Sequence, residues 1–208
     1  MTDFAAVKAI IGPVGNLEVA CAMPTTTETV GIAIICHPHP LFGGAMGNKV
    51  VTTLERFFRE RGFATLRFNF RGVGASEGVF DNGMGESDDL HAVAQFARRY
   101  YPDLALMLAG FSFGSFVAAR MANALGAAQL LSIAPPVSKW DFAALDKPRM
   151  PWTIVQGELD EVVEPQAVYD FVAQTQPAPT LIRLPDATHF FHGKLLELRT
   201  ALTEHFNQ

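Results

Sequence analysis

The chain has 208 residues, of which 49% are hydrophobic and 18% charged, and this predicts one globular domain over residues 1–208 with a sizeable core. The net charge of −5 argues against nucleic acid or an anionic membrane as the main partner. The chain does not open with a basic segment followed by an apolar one, and it has no apolar run of about 18 residues. We therefore expect a cytoplasmic protein without a signal peptide or a transmembrane helix.

The first third of the chain predicts a hairpin, a buried strand and a helix. Two short apolar segments, 7–11 and 17–22, are separated by the turn signal GPVGN. Residues 30–36 are β-branched and apolar on both faces, which is typical of a buried parallel strand. The next segment, HPHPLFGG, is predicted not to be helical because of its prolines and glycines. Residues 48–62 then predict an amphipathic helix ended by a glycine.

The remaining segments alternate between strand and helix, interrupted by a glycine-rich loop at residues 71–85. Strands are expected at 63–70, 104–110, 127–135, 152–157 and 180–185, and helices at 86–101, 116–125, 165–175 and 192–206. This order predicts an α/β fold with a mostly parallel, twisted sheet and helices on both faces. Ligands of such sheets bind at the carboxyl ends of the strands.

Neither the cysteines nor the paired histidines predict a metal or cofactor site. Cys21 and Cys36 lie in apolar strands and are expected to be buried free thiols, as in cytosolic proteins. His37 and His39 have a spacing found in metal sites, but no carboxylate lies near them in the sequence, and the adjacent Cys36 belongs to an apolar strand. We expect these histidines to fix their loop by hydrogen bonding. The segment RGVGASEG is a weak match to a dinucleotide loop, because more glycine-rich sequence follows it instead of a helix.

Ser112 lies in the pentapeptide GFSFG, between an apolar strand and an apolar helix. This strand–turn–helix context is what a nucleophile elbow requires, since Gly110 and Gly114 allow a sharp turn that holds the hydroxyl above the sheet. The pentapeptide alone is a weak signal, and the alternative is a serine that only caps the helix. Residues later in the chain decide between the two interpretations.

A catalytic serine needs a base to take its proton and an acid to orient that base. In this topology the expected order along the chain is serine, acid and histidine, with the last two on loops after later strands. Asp160 follows the strand at 152–157, and His189 lies in the loop after the last strand. The sequence therefore predicts Ser112, Asp160 and His189 as a catalytic triad.

Several other polar residues lie close to these positions. Asp141, in the loop after the preceding strand, is the alternative acid. Three glutamates near Asp160 are interpreted as solvated or helix-terminal charges: Glu158, Glu161 and Glu164. Asp186 is expected to cap its own loop, and His192 is expected to begin the final helix.

These segments resemble those of a known superfamily. GFSFGS, GELDEVV and ATHFFHG look like the elbow, acid turn and histidine loop of the α/β hydrolases. CHPHPLFGGAMGNKVV and RFNFRGVGASEG are similar to its small serine hydrolases, many of them predicted esterases. The resemblance covers the chain from residue 17 onward. It implies a single α/β-hydrolase domain with Ser112, Asp160 and His189 as its triad.

An oxyanion hole needs two N–H donors aimed at the developing negative charge. One is predicted to be the backbone of Phe113, directly after the nucleophile. The loop after residues 30–36 should give the other, and its prolines have no N–H. Leu41 is the favoured donor and His39 the alternative, with Phe42 the third N–H of the loop. This loop departs from the superfamily's common His-Gly pattern.

The predicted substrate site is aromatic and uncovered. Phe42, Phe190 and Trp140 are expected to line it. In this superfamily a lid is usually inserted between the strands expected here at 127–135 and 152–157. The sequence between them, PVSKWDFAALDKPRMP, is too short for a helical cap domain.

The leading interpretation is a serine hydrolase, carboxylesterase-like, that acts on small or medium esters through an acyl-Ser112 intermediate. A thioesterase or a small peptidase uses the same machinery and is the enzymatic alternative. A non-catalytic, hydrolase-like binding module belongs to a different class. Such a module usually lacks a triad member, whereas this chain has all three.

Overall fold

The structure is a computed structural model that describes residues 3–207, so residues 1, 2 and 208 of the predicted domain lie outside the described part. The strands are β1 Ala9–Gly12, β2 Gly15–Ala22, β3 Gly31–Cys36, β4 Phe63–Phe68, β5 Ala105–Phe111, β6 Gln129–Ile133, β7 Trp152–Gly157 and β8 Thr180–Leu184. The α-helices are α1 Lys49–Glu60, α2 Met84–Tyr100, α3 Phe113–Met121, α4 Pro165–Gln174 and α5 Leu195–Phe206.

The eight strands form one sheet in the order β1-β2-β4-β3-β5-β6-β7-β8. β1 and β2 are antiparallel to their neighbours, and β4, β3 and β5 to β8 run parallel. The predicted mostly parallel α/β sheet is confirmed. Because the parallel strands end at one edge, the loops after β3, β5, β7 and β8 lie next to one another.

Helices cover both faces of the sheet, so its central strands are buried on both sides. Every residue of β3 and β7 is buried, which explains the unbroken apolar sequence of β3 and the mostly apolar sequence of β7. One core cluster packs α2, α3 and α4 against the sheet, and the other packs α1 and α5. The helices packed on the two faces thus hold in place the strand ends that carry the predicted site.

Several predicted element bounds differ from the structure, and three differences lie near the predicted site. α3 begins at Phe113 and not at residue 116, because the elbow turn leads straight into the helix. α5 begins at Leu195, so His192 precedes the final helix. Pro40–Phe42 forms one turn of 3-10 helix in the segment predicted to be non-helical. Proline at the first position of a helical turn loses no hydrogen bond, which explains why this turn tolerates it.

The connection between β6 and β7 carries no cap domain. Residues 134–151 contain turns and bends but no helix or strand. Their backbone folds back on itself, with Lys139 and Trp140 both donating to the Pro136 carbonyl. Within residues 3–207, no helix combines the length and apolar character needed to cross a membrane.

Candidate active site

Ser112 occupies a strained turn between β5 and α3. Its backbone has φ 51° and ψ −122°, a conformation that L-residues rarely adopt and that is often found at functional sites. A methyl group on Gly110 would collide with the Gly114 carbonyl, and one on Gly114 would collide with the Cys36 carbonyl. Both glycines are therefore required by close backbone approach.

His189 reaches Ser112 from the loop after β8. Its Nε2 lies 3.2 Å from the Ser112 Oγ, and the residue is only 2% exposed. The imidazole packs against the ring of Phe111, with 5.1 Å between centroids. Packing on one side and a hydrogen-bonded acid on the other fix the orientation of the ring.

Asp160 completes the chain of hydrogen bonds from the loop after β7. His189 Nδ1 donates to Asp160 Oδ2 at 2.8 Å, which leaves His189 Nε2 as the acceptor for the serine hydroxyl. The main-chain N–H groups of Val162 and Val163 donate to Oδ1 at 2.9 and 2.7 Å. Burial alone would raise the pKa of Asp160, but these hydrogen bonds outweigh it and hold the pKa below its usual value. The carboxylate thus stays ionised beside the imidazole.

The other carboxylates considered from the sequence do not contact the His189 imidazole. Asp141 is exposed and accepts from the Ala144 N–H in its own loop. Contrary to prediction, Asp186 makes no hydrogen bond within its own loop among residues 3–207. Its Oδ2 lies 3.8 Å from Lys194 Nζ. Glu158 pairs with an arginine, and Glu164 precedes α4.

Two residues of the site were not identified from the sequence. Gln156, fully buried at the end of β7, donates from Nε2 to Asp160 Oδ2 at 3.1 Å. Glu161, interpreted as a solvated charge, accepts from the main-chain N–H of His189 at 3.1 Å. A sequence signal for Gln156 was available, because it is a polar residue near the carboxyl end of a mostly apolar strand.

His37 fixes the loop after β3. Its Nδ1 donates to the Pro38 carbonyl at 2.6 Å, and its Nε2 accepts from the Phe70 N–H at 3.0 Å. Both ring nitrogens of the neutral imidazole are therefore used, in one tautomer. Burial lowers the pKa of His37 to about 4, so the ring stays neutral at physiological pH.

The buried neutral His37 should destabilise the protein as the pH falls. The unfolded chain has a histidine pKa near 6.5, so between about pH 6.5 and 4 it binds a proton that the folded chain does not. We expect this residue alone to remove about 3 kcal/mol from the free energy of unfolding over that range. Urea titrations at several pH values measure the effect.

The test variant is His37→Gln, which removes the titrating group. The matched control is His91→Gln, which removes an exposed histidine of α2. The pH dependence should become shallower only in His37→Gln. If His37→Gln loses stability with falling pH as steeply as the natural protein, the buried neutral state of His37 is wrong.

The loop after β3 does not present the N–H that was favoured from the sequence. The Leu41 N–H donates to His39 Nδ1 at 3.2 Å, and Leu41 does not line the cavity above Ser112. The Phe42 N–H donates to the His39 carbonyl. His39, the predicted alternative, does line that cavity together with Phe113. The main-chain N–H groups of His39 and Phe113 have no hydrogen-bond partner among residues 3–207.

Ser112 and His189 lie in a cavity of about 370 Å³. The predicted Phe42, Phe190 and Trp140 all line it, and Phe42 is 85% exposed at its mouth. Burial lowers the pKa of His39. The centroid of its ring lies within 6 Å of the centroids of four aromatic rings. These rings are Phe42, Phe80, Phe113 and Trp140. The walls are therefore mainly aromatic and apolar.

Proteins of high similarity share this architecture. The chain is 50% identical to an α/β serine hydrolase without a lid from Xanthomonas campestris, covering 98% of this chain and 94% of that one with a TM-score of 0.92. It is 48% identical to an α/β serine hydrolase homologue from Coxiella burnetii, covering 95% of each chain with a TM-score of 0.92. An uncharacterised protein of Rickettsia prowazekii (strain Madrid E) is 35% identical over 93% of this chain and 85% of its own length. No protein-family model matches the chain.

The chain belongs to the lidless α/β serine hydrolases. The resemblance found in its sequence is thereby confirmed for the superfamily and for the small, lidless type.

Proposed function

We propose that this protein hydrolyses carboxylic esters of small or medium size through an acyl intermediate on Ser112. The observation that carries the proposal is the continuous chain from Ser112 Oγ to His189 Nε2 and from His189 Nδ1 to Asp160, at 3.2 and 2.8 Å. That chain opens on an apolar cavity and not on the packed core. A helix-capping serine would need neither the histidine nor the cavity.

In the first half-reaction, Ser112 Oγ attacks the carbonyl carbon of the ester while its proton passes to His189 Nε2. The charge that develops on the carbonyl oxygen is stabilised by the main-chain N–H groups of Phe113 and His39. Asp160 stabilises the imidazolium. The tetrahedral intermediate collapses, the C–O bond to the alcohol breaks, and the alcohol leaves with the proton from His189.

In the second half-reaction, water attacks the acyl carbon and gives a proton to His189 Nε2. The bond to Ser112 Oγ breaks, the acid is released, and His189 returns the proton to the serine. The enzyme is thus regenerated without any group beyond the chain's own residues and water.

The cavity limits the size of the acyl group. Each methylene that enters an apolar slot gains about 0.8 kcal/mol, or roughly 4-fold in kcat/KM. The gain stops when the chain outgrows the 370 Å³ cavity. We expect nitrophenyl esters to give the highest kcat/KM at short acyl chains, and no jump in rate when the substrate forms an interface.

A panel of acyl esters, thioesters and peptide amides, assayed with the natural protein and with Ser112→Ala, tests the proposed function. Esters should give the highest kcat/KM, and Ser112→Ala should remove the activity. Preference for thioesters or amides would transfer the proposal to a thioesterase or peptidase with the same triad. Best activity on long-chain lipids, or a rate increase at an interface, would contradict an open and shallow site.

The free state of Cys21 and Cys36 supports a reducing compartment as the place of action, since disulfides are rare there. We propose the cytoplasm. The proposed partner is a small-molecule ester.

A further inference from the structure

One lysine lines the catalytic cavity. Lys139 is on the β6–β7 loop, beside Trp140, and is one of the residues that line the same space as Ser112 and His189. Among residues 3–207 it is the only lysine, arginine, aspartate or glutamate that lines this cavity. Its ammonium group takes part in no ion pair or hydrogen bond within those residues, in contrast to Lys194, which faces two carboxylates.

A second residue at the cavity wall, Asn48, has a hydrogen-bond donor that no group within residues 3–207 uses. Asn48 lines the wall and accepts the Val50 N–H through Oδ1 at 2.9 Å. Its Nδ2 has no partner within residues 3–207. The negative charge nearest the reacting atoms, on Asp160, lies behind His189 and is held by its own hydrogen bonds.

This distribution of charge decides between two kinds of ligand for an aromatic cavity. Aromatic walls by themselves suit a cation, which binds over ring faces. An ammonium group on a residue that lines the same cavity repels a cation and attracts an anion. Lys139 and the Asn48 amide can both donate to carboxylate oxygens.

We propose that the preferred substrates are esters that carry a carboxylate, and that Lys139 is the residue that selects them. This inference rests on the proposed esterase function and names its substrate class. The aromatic and apolar wall holds the hydrocarbon part of the ester, while Lys139 pairs with the carboxylate away from the reacting carbonyl. The reaction at Ser112 is unchanged, and the products are the alcohol and the acid, one of them bearing the extra carboxylate.

Matched pairs of substrates test this selection. Monoethyl succinate and ethyl succinamate differ by a carboxylate against a carboxamide in the acyl part. Acetoxyacetate and acetoxyacetamide differ in the same way in the alcohol part. We expect the carboxylate to be favoured in at least one pair, and the pair that shows it identifies which part of the ester faces Lys139. Chromatography measures the rate at which the acid or the alcohol is released, and this rate gives kcat/KM for each compound.

The variants Lys139→Met and Lys139→Glu should reduce the ratio of kcat/KM for the charged ester to that for its amide. Lys139 is exposed, so the expected reduction for Lys139→Met is about 3- to 10-fold, and Lys139→Glu should invert the preference. Added salt should weaken the preference of the natural protein for the charged ester.

Lys147→Met is the matched control, because Lys147 is exposed on the same loop but does not line the catalytic cavity.

The inference is overturned if neither carboxylate ester is preferred, or if Lys139→Met and Lys147→Met change the ratio equally. These outcomes are distinct from a failure of the proposed function, in which no ester is cleaved in a Ser112-dependent manner. Neutral esters cleaved through Ser112 with no preference for a carboxylate would remove the inference alone.

Discussion

Ser112→Ala and His189→Ala should each lower kcat for ester hydrolysis by about 10⁴- to 10⁶-fold, and the double variant should be little worse than either. The reason is that the serine is a weak nucleophile until the histidine takes its proton, so removing either group removes the same step. The 3.2 Å contact between Ser112 Oγ and His189 Nε2 makes this coupling direct. Steady-state kinetics on one short-chain ester measure all three variants.

Asp160→Asn belongs to the same unit and should cost about 10²- to 10⁴-fold in kcat. The asparagine amide cannot hold the His189 tautomer that the carboxylate holds at 2.8 Å. Asp141→Asn, at an exposed residue whose side chain accepts from the Ala144 N–H of its own loop, is the matched control and should remain within about 2-fold of the natural protein. Near-normal activity of Asp160→Asn, or losses that multiply in the Ser112 and His189 double variant, would contradict a triad acting as one unit.

Gly114→Ala should be among the most destabilising methyl additions in the chain. The new methyl group would collide with the main-chain carbonyls of Cys36 and His37, and backbone cannot rotate away as a side chain can. We expect a loss of about 3 kcal/mol in the free energy of unfolding, measured by urea titration. A misplaced elbow should lower esterase activity as well, since the turn positions Ser112.

Gly47→Ala is the control for this prediction. Apart from its chain neighbours, no atom of the described residues lies within 4 Å of a methyl group at Gly47, so the stability should change by about 0.5 kcal/mol or less. Gly110→Ala meets the carbonyl of Gly114 and should behave like Gly114→Ala. Equal stability of Gly114→Ala and Gly47→Ala would show that the elbow does not need the close approach of Gly114 to the Cys36 and His37 carbonyls.

Sequence periodicity predicted the alternation of strands and helices because buried parallel strands and amphipathic helices differ in their local patterns. The order of strands in the sheet was not predictable in this way. Strand β4 lies between β2 and β3, and no local pattern specifies which edge a strand joins. Local sequence also did not reveal the start of α3. Gly114 and Ser115 are poor helix formers, and the turn itself holds them in the helix.

The sequence placed Ser112, Asp160 and His189 on the correct loops because strand order fixes where such groups occur in this fold. The second N–H donor was harder to choose, since the side chain of His39 bonds to the N–H of Leu41. That interaction depends on the three-residue turn at Pro40–Phe42, which no pattern revealed. Lys139 lacked a signal as well, because a lysine on a loop is ordinarily a solvated charge.

The most direct test of the central claim is the mass of the protein after reaction with a fluorophosphonate, which phosphonylates an activated serine and releases fluoride. One adduct per chain is expected, on the peptide that contains Ser112, and Ser112→Ala should remain unmodified under the same conditions. An adduct on another residue, or equal labelling of the natural protein and Ser112→Ala, would contradict the assignment of Ser112 as the nucleophile.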